Sequence, residues 1–292
     1  MSSVIRAATV AAFAGLALTA AASAQQTVYA IGNGGSSLVR FQSNNPGSAT
    51  VVADFSGAAS FLDAIDFRPS TGQLYGYLDS TDSFYTVNLN TGALTLASVG
   101  ASGAPTNTFQ LGMDFNPTID RLRVVTDSGQ NVVYNPVVGT AAAFTSLAYA
   151  IGDVNENASP SIIDNAYTQN FAGAATTQQY GIDYANDSLV RIANNAGTLT
   201  TVGFLGIDTD IYTGFDVYTG PGGVDTGYAI LTPAGGAPRF YNINLTTGQA
   251  TLVGDVGFTN QVYSLAVIPS PGTAMLLALP LGAGLVRRRR AM

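Results

Sequence analysis

A short strand pattern that ends in aspartate recurs along the chain and constrains the fold more than any other feature. The four copies are Ala64-Ile65-Asp66-Phe67, Gly112-Met113-Asp114-Phe115, Gly181-Ile182-Asp183-Tyr184 and Gly214-Phe215-Asp216-Val217. Hairpins recur as well, because Tyr85-Thr86-Val87-Asn88-Leu89 is echoed by Tyr241-Asn242-Ile243-Asn244-Leu245. A unit of short alternating strands and turns that repeats in this way is typical of a β-propeller blade. We therefore predict an all-β propeller domain over residues 25–268.

The two ends of the repeat array predict how the propeller closes. The first unit, residues 28–55, has no opening strand, whereas residues 262–268 form a single strand with nothing after it. We predict that this last strand pairs with the first blade. The span gives about 48 residues to each of five blades, within the range of about 40–50 that such repeats show. Six blades would result if the irregular stretch of residues 149–177 formed one of its own.

The N-terminal segment has the features of a bacterial export signal. A positive charge at Arg6 precedes an apolar run over residues 7–20, and Ala22-Ser23-Ala24 matches the small-residue cleavage site of signal peptidase. The sequence predicts a signal peptide over residues 1–24 and an exported protein.

The C-terminal segment, residues 269–292, resembles a PEP-CTERM sorting tail, which is processed by an exosortase. It contains Pro269-Ser270-Pro271, an apolar run over residues 273–286 and four arginines at 287–290. The run is shorter than the about 20 residues that span a bilayer comfortably, and the arginines favour the cytoplasmic side. The resemblance implies transient membrane contact and release at the cell surface; an uncleaved membrane anchor is the alternative.

Composition excludes several kinds of chemistry. Between the two terminal segments, six arginines face 18 acidic residues, a net charge of −12 that argues against a nucleic-acid partner. The chain has no His, Cys or Lys, which excludes Ser-His-Asp and Cys-His nucleophile systems, the usual zinc ligands and Schiff-base chemistry. What remains for catalysis is carboxylate chemistry, as in glycoside hydrolysis.

Three sets of polar residues are candidate sites. Asp153, Asn155, Asn157 and Asp164 follow the spacing of a calcium loop, and a solvated acidic loop is the alternative. The repeated aspartates either ring the central channel and bind a cation or accept N–H groups of the turns that follow them. Arg121 and Arg123 either clamp an anion or pair with aspartates across the strands. Calcium is the one cofactor that these patterns suggest.

Several segments carry a family resemblance that spans most of the body. They are Ile65-Asp66-Phe67-Arg68-Pro69, Asp114-Phe115-Asn116-Pro117, Ser128-Gly129-Gln130-Asn131 and Ala166-Tyr167-Thr168-Gln169-Asn170-Phe171. They resemble the exported bacterial family described as domain of unknown function 4394. The resemblance implies a propeller-like fold and export, and it implies no activity.

These observations predict a binding or structural module at the bacterial cell surface or in the extracellular matrix, and they favour such a module over an enzyme. The partner would be an extracellular polysaccharide or a surface protein. The alternative is a carboxylate-dependent glycan hydrolase or lyase.

Overall fold

The computed structural model describes residues 25–100, 110–258 and 261–269. Within these ranges the chain forms strands β1 to β22, in chain order, and four short 3-10 turns at Asn33–Gly35, Asp79–Thr81, Asn194–Ala196 and Pro221–Gly223. The predicted signal peptide, and the predicted sorting tail apart from Pro269, lie outside the described residues. No helix in the described part of the chain is long and apolar enough to cross a membrane.

The strands form five sheets that are arranged as a five-bladed β-propeller, each with four antiparallel strands from the axis outward. The innermost strands are β22 (Tyr263–Val267), β5 (Ala64–Arg68), β9 (Leu111–Asn116), β14 (Ile162–Tyr167) and β18 (Gly214–Thr219). The second strands are β1 (Thr27–Gly32), β6 (Gln73–Leu78), β10 (Arg121–Thr126), β15 (Gln179–Asp183) and β19 (Asp225–Leu231). The third strands are β2 (Ser37–Gln42), β7 (Ser83–Val87), β11 (Asn131–Asn135), β16 (Ser188–Ile192) and β20 (Arg239–Ile243). The outermost strands are β3 (Asn45–Asp54), β8 (Ala93–Val99), β12 (Thr140–Ala143), β17 (Thr198–Phe204) and β21 (Ala250–Asp255).

Two blades carry an additional two-residue strand at the outer edge. In the second blade, β4 (Ser56–Gly57) runs parallel to β8, and in the fourth blade β13 (Ala148–Tyr149) runs parallel to β17. The irregular stretch of residues 149–177 contains β14, the innermost strand of the fourth blade, and does not form a sixth blade. The five-blade prediction is therefore confirmed.

The first blade is closed by the end of the domain. Strand β22 pairs antiparallel with β1, so that Val28 lies opposite Val267 and Ala30 opposite Leu265. The predicted pairing of the last strand with the first blade is confirmed. Because the blade joins the two ends of the domain, β1 does not expose an unpaired inner edge.

Each blade packs one face against the blade before it and the other face against the blade after it. Side chains that alternate along a strand reach these two faces in turn. On β10, Leu122 and Val124 lie in the apolar cluster shared with the second blade, whereas Val125 lies in the cluster shared with the fourth blade. Successive side chains of a strand point to opposite faces of the sheet. Arg123, between Val124 and Leu122, therefore points toward the fourth blade, next to a comparatively small apolar cluster.

Candidate functional site

Side chains near the axis join the innermost strands to one another. In four of the five blades the innermost strand carries an aspartate that accepts an N–H from the innermost strand of the next blade. These bonds run from Phe115 N to Asp66 Oδ2 (2.8 Å), Tyr167 N to Asp114 Oδ2 (3.2 Å), Phe215 N to Asp164 Oδ2 (2.7 Å) and Val267 N to Asp216 Oδ2 (2.6 Å). Ser264 takes this place in the first blade, where its Oγ accepts the N–H of Ile65 at 2.9 Å. The five bonds form a closed ring around the axis.

The ring provides hydrogen-bond acceptors for N–H groups of the innermost strands that have no partner within their own sheet. The inner edge of an innermost strand has no further strand to pair with, and buried N–H groups require an acceptor. A glycine allows the close approach that this requires, since a Cβ at position 112 would lie 2.3 Å from the Cα of Asp164. Three of the aspartates also accept the N–H of the residue that follows them: Asp66, Asp164 and Asp216. Of the four repeated aspartates, Asp66, Asp114 and Asp216 thus bond to strand amides, whereas Asp183 accepts the N–H of Ala185 in the turn that follows it, as the sequence suggested.

Three of these carboxylates come together, and we call Asp66, Asp114 and Asp216 the axial cluster. One carboxylate oxygen from each lies within 4.8 Å of those of the other two. Each residue is 1% exposed. Both oxygens of Asp66 and Asp216 accept main-chain N–H groups, whereas Oδ1 of Asp114 is buried without a hydrogen-bond partner among the described residues. The cluster therefore has an oxygen that no group of the described residues binds.

Burial and mutual repulsion control the ionisation of the axial cluster. Burial is the main reason that the pKa values of Asp66 and Asp114 lie well above the usual range, and the charges of neighbouring carboxylates, including Asp216, raise them further. Burial also raises the pKa of Asp216 to about 7. Like charges within a few ångströms cannot all be ionised without compensation. At neutral pH the cluster must therefore hold protons or a cation.

A second buried polar group, Arg123, lies between the third and fourth blades. Arg123 is 2% exposed and donates from Nε to the Tyr167 hydroxyl at 2.8 Å and from Nη2 to Asn195 Oδ1 at 2.7 Å. Its Nη1 donates to the side chain of Asn131 and to the carbonyl of Asn194. These partners are all neutral. The same tyrosine contacts both sites, because its N–H donates to Asp114 of the axial cluster.

Neither alternative that was predicted for the two arginines matches these contacts. The guanidinium of Arg121 donates to the main-chain carbonyl of Asp120 at 2.9 Å, which is not a partner of Arg123. The ion pairs found in the described residues are Arg68 with Asp120 and Arg239 with Asp255. Arg121 and Arg123 therefore share no hydrogen-bond partner, and in the described part of the chain neither forms an ion pair with an aspartate across the strands. The reason is that Arg123 meets a polar surface of the next blade that sequence neighbours do not reveal.

The residues of the predicted calcium loop lie in two different environments. Asp153 accepts the N–H of Asn155 at 2.9 Å and the N–H of Thr201 at 2.7 Å, and Asn157 is exposed. Asp164 lies in β14, is 2% exposed and belongs to the ring of the innermost strands. The structure thus brings Asp153 and Asn155 together and places Asp164 in the ring. Calcium binding by this set of four residues stays a prediction.

The sequence pattern identified three of the four ring aspartates and missed one. Asp183 lies on the second strand of its blade, where its Oδ1 accepts the N–H groups of Ser161 and Ala185. The fourth ring aspartate is Asp164. A regular signal was present, since intervals of 48, 50, 52 and 48 residues separate Asp66, Asp114, Asp164, Asp216 and Ser264. Spacing by one blade would therefore have found both Asp164 and Ser264.

Comparison with known proteins assigns the chain to a family. The sequence profile of the domain of unknown function DUF4394 matches residues 37–266. The chain belongs to this family. No curated protein gives a significant sequence match.

Two solved structures are similar to this DUF4394 protein. One is from a crystal structure of a nidogen/laminin complex, with 10% identity and a TM-score of 0.47, covering 84% of this chain and 98% of that one. The other is a structural genomics protein of unknown function from Bacteroides thetaiotaomicron VPI-5482, with 14% identity and a TM-score of 0.43, covering 82% of this chain and 56% of that one.

Proposed function

We propose that this protein is an exported propeller module that binds or supports a partner at the bacterial cell surface or in the extracellular matrix, without transforming it. The observation that carries the proposal is the burial of the carboxylates that the fold brings together. The ring aspartates are at most 2% exposed and are engaged by main-chain amides of neighbouring blades. A hydrolase or lyase needs its acid and base in a cleft that the substrate can enter. In this proposal the ring aspartates serve the scaffold and not catalysis.

The partner would be an extracellular polysaccharide or a surface protein. Four-stranded blades joined by surface loops provide a rigid support for binding, because loops tolerate variation while the sheets keep their geometry. The net charge of −12 between the terminal segments favours neutral or basic partners over anionic polymers.

The experiment separates binding from catalysis. The purified protein is applied to a glycan array, and each polysaccharide that it binds is then incubated with it and assayed for reducing ends and for unsaturated products. We expect retention of an intact polymer. Progressive release of reducing ends by the native protein, and not by a heat-denatured sample, would instead support the carboxylate-dependent hydrolase or lyase.

Export by the signal peptide and sorting by the C-terminal tail belong to the same proposal. The features of residues 1–24 and 269–292 support it. Mass spectrometry of the extracellular fraction should find a protein that begins near residue 25, ends near residues 269–271 and lacks the four terminal arginines. Recovery of the chain with Met292 intact would favour an ordinary anchor over sorting.

A further inference from the structure

We propose that the axial cluster of Asp66, Asp114 and Asp216 binds one hard divalent cation with the chemistry of calcium. This site is separate from the sequence-predicted loop at residues 153–164, and it does not depend on the function proposed above.

The spacing of the oxygens suits a single ion. Calcium binds oxygen ligands at about 2.3–2.6 Å, so two ligands on opposite sides of the ion are about 5 Å apart. In the axial cluster one oxygen from each carboxylate lies within 4.8 Å of the others. One cation between them can therefore contact all three carboxylates. Within the described ranges, this is the group of three acidic residues whose carboxylate oxygens all lie within 4.8 Å of one another.

The unpartnered oxygen of Asp114 is an independent indication of a ligand. Asp114 is 1% exposed, and its Oδ2 accepts the N–H of Tyr167 while Oδ1 has no partner in the described chain. Leaving a buried acceptor without a partner costs stability, and the cost is larger for a charged group. The two other members of the cluster use both oxygens in bonds to amides, yet each carboxylate oxygen keeps a second lone pair for a metal.

Among the residues that the structure describes, no cationic side chain compensates the charge of the axial cluster. The two ion pairs of the described residues, Arg68–Asp120 and Arg239–Asp255, do not involve the axial cluster. The buried cation Arg123 is bonded to Tyr167, Asn131, Asn194 and Asn195. Buried carboxylates that stay ionised require pairing or a metal. A divalent cation on the axis would supply the positive charge that balances these carboxylates, and it would link the second, third and fifth blades.

The first measurement uses the unaltered protein. After removal of metals with a chelator, calcium is titrated by calorimetry, and bound metal is counted by elemental mass spectrometry. We expect about one calcium per chain and a melting temperature that rises by about 5–10 °C at a hundredfold excess over the dissociation constant. A folded protein that binds no calcium, or that melts equally with calcium and with chelator, would overturn the proposal.

Two variants locate the site. Asp114→Asn keeps an oxygen for the N–H of Tyr167 and replaces the unpartnered oxygen with an N–H₂ group that repels a cation. We expect calcium affinity to fall by at least about 10-fold, the loss that removing even a supporting group at a metal site causes. Asp153→Ala is the matched control and should leave the affinity unchanged.

The other outcomes would contradict the axial site. Loss of binding in Asp153→Ala with normal binding in Asp114→Asn would assign calcium to the loop. A chelated Asp114→Asn protein that is more stable than the parent, together with no effect of calcium on the parent, would show that shared protons hold the cluster. If Asp114→Asn does not fold, absence of bound calcium in the unaltered protein would still overturn the proposal, and Asp153→Ala still tests the location, because normal binding by that variant places the ion outside the loop whereas lost binding assigns it to the loop.

Discussion

The closing strand β22 should dominate the stability of the propeller. Val262, just before the strand, and Tyr263, Leu265 and Val267 within it are at most 7% exposed. Burying each large apolar side chain stabilises a protein by about 1.5–3 kcal/mol, so the four together supply about 6–12 kcal/mol. This is close to the whole stability of a typical domain, about 5–15 kcal/mol. A chain that ends at residue 260 should therefore be aggregated or molten, with the edge of β1 exposed.

A single substitution tests the same point more finely. Leu265 is 3% exposed in an apolar cluster with residues of the first and fifth blades. Leu265→Ala should lower the free energy of unfolding by about 2–5 kcal/mol, and the melting temperature by about 4–20 °C. The control is Leu252→Ala on β21, where the side chain is 51% exposed and the change should stay within about 0.5 kcal/mol.

Thermal melting and urea unfolding of the two variants decide the outcome. Equal shifts for Leu265→Ala and Leu252→Ala would refute the reasoning, because burial would then not distinguish the positions. A monomeric chain ending at residue 260 with the melting temperature of one ending at residue 268 would refute closure by β22.

Three further predictions concern contacts between blades. Asp120→Asn should lower stability by about 1 kcal/mol or less at pH 7, while Asp255→Asn, in an exposed pair, should change nothing measurable. The hydrogen bond from Arg68 lowers the pKa of Asp120. The loss of stability in Asp120→Asn should therefore be present above about pH 4 and disappear as the pH falls through the lowered pKa of Asp120. A loss of stability that persists at pH 2 would contradict this prediction. Arg123→Met should lower the free energy of unfolding by about 3 kcal/mol or more, since several buried acceptors lose their donor. An unchanged denaturation midpoint would show that the hydrogen bonds of Arg123 contribute little to stability. Gly112→Ala should destabilise by about 1–3 kcal/mol or more through overpacking against the backbone of β14, and a melting curve like that of the parent would exclude so close an approach of the innermost strands.

Much of the fold could be predicted because its cause is local and repeated. Alternating apolar residues form strands with two buried faces, and turn residues separate the strands at intervals of one blade. The single strand at residues 262–268 and the incomplete first unit were sufficient to predict closure. The fourth blade was harder to predict, because the stretch before β14 is irregular. The motif at Gly181-Ile182-Asp183-Tyr184 was grouped with those of the innermost strands, whereas it belongs to the second strand of its blade.

The site could be predicted only in part. The sequence drew attention to Asp66, Asp114 and Asp216, and it offered a cation or main-chain amides as their partners. It assigned Asp164 to a loop, although that residue bonds to Phe215 in the next blade, 51 positions away. Local spacing carries no information on such a bond.

The sequence by itself determined the all-β class, a propeller of about five blades and the pairing of the last strand with the first blade, because strand alternation and blade spacing are properties of short segments. Only the tertiary structure decided which polar groups meet. Closing the ring brings Asp66, Asp114 and Asp216 from three separate blades to within 4.8 Å, and it places Arg123 against Asn194 and Asn195, 71 and 72 positions further along the chain. These encounters depend on how five sheets pack around one axis, where the low dielectric of the interior makes each unpaired charge costly and each bond to an amide strong.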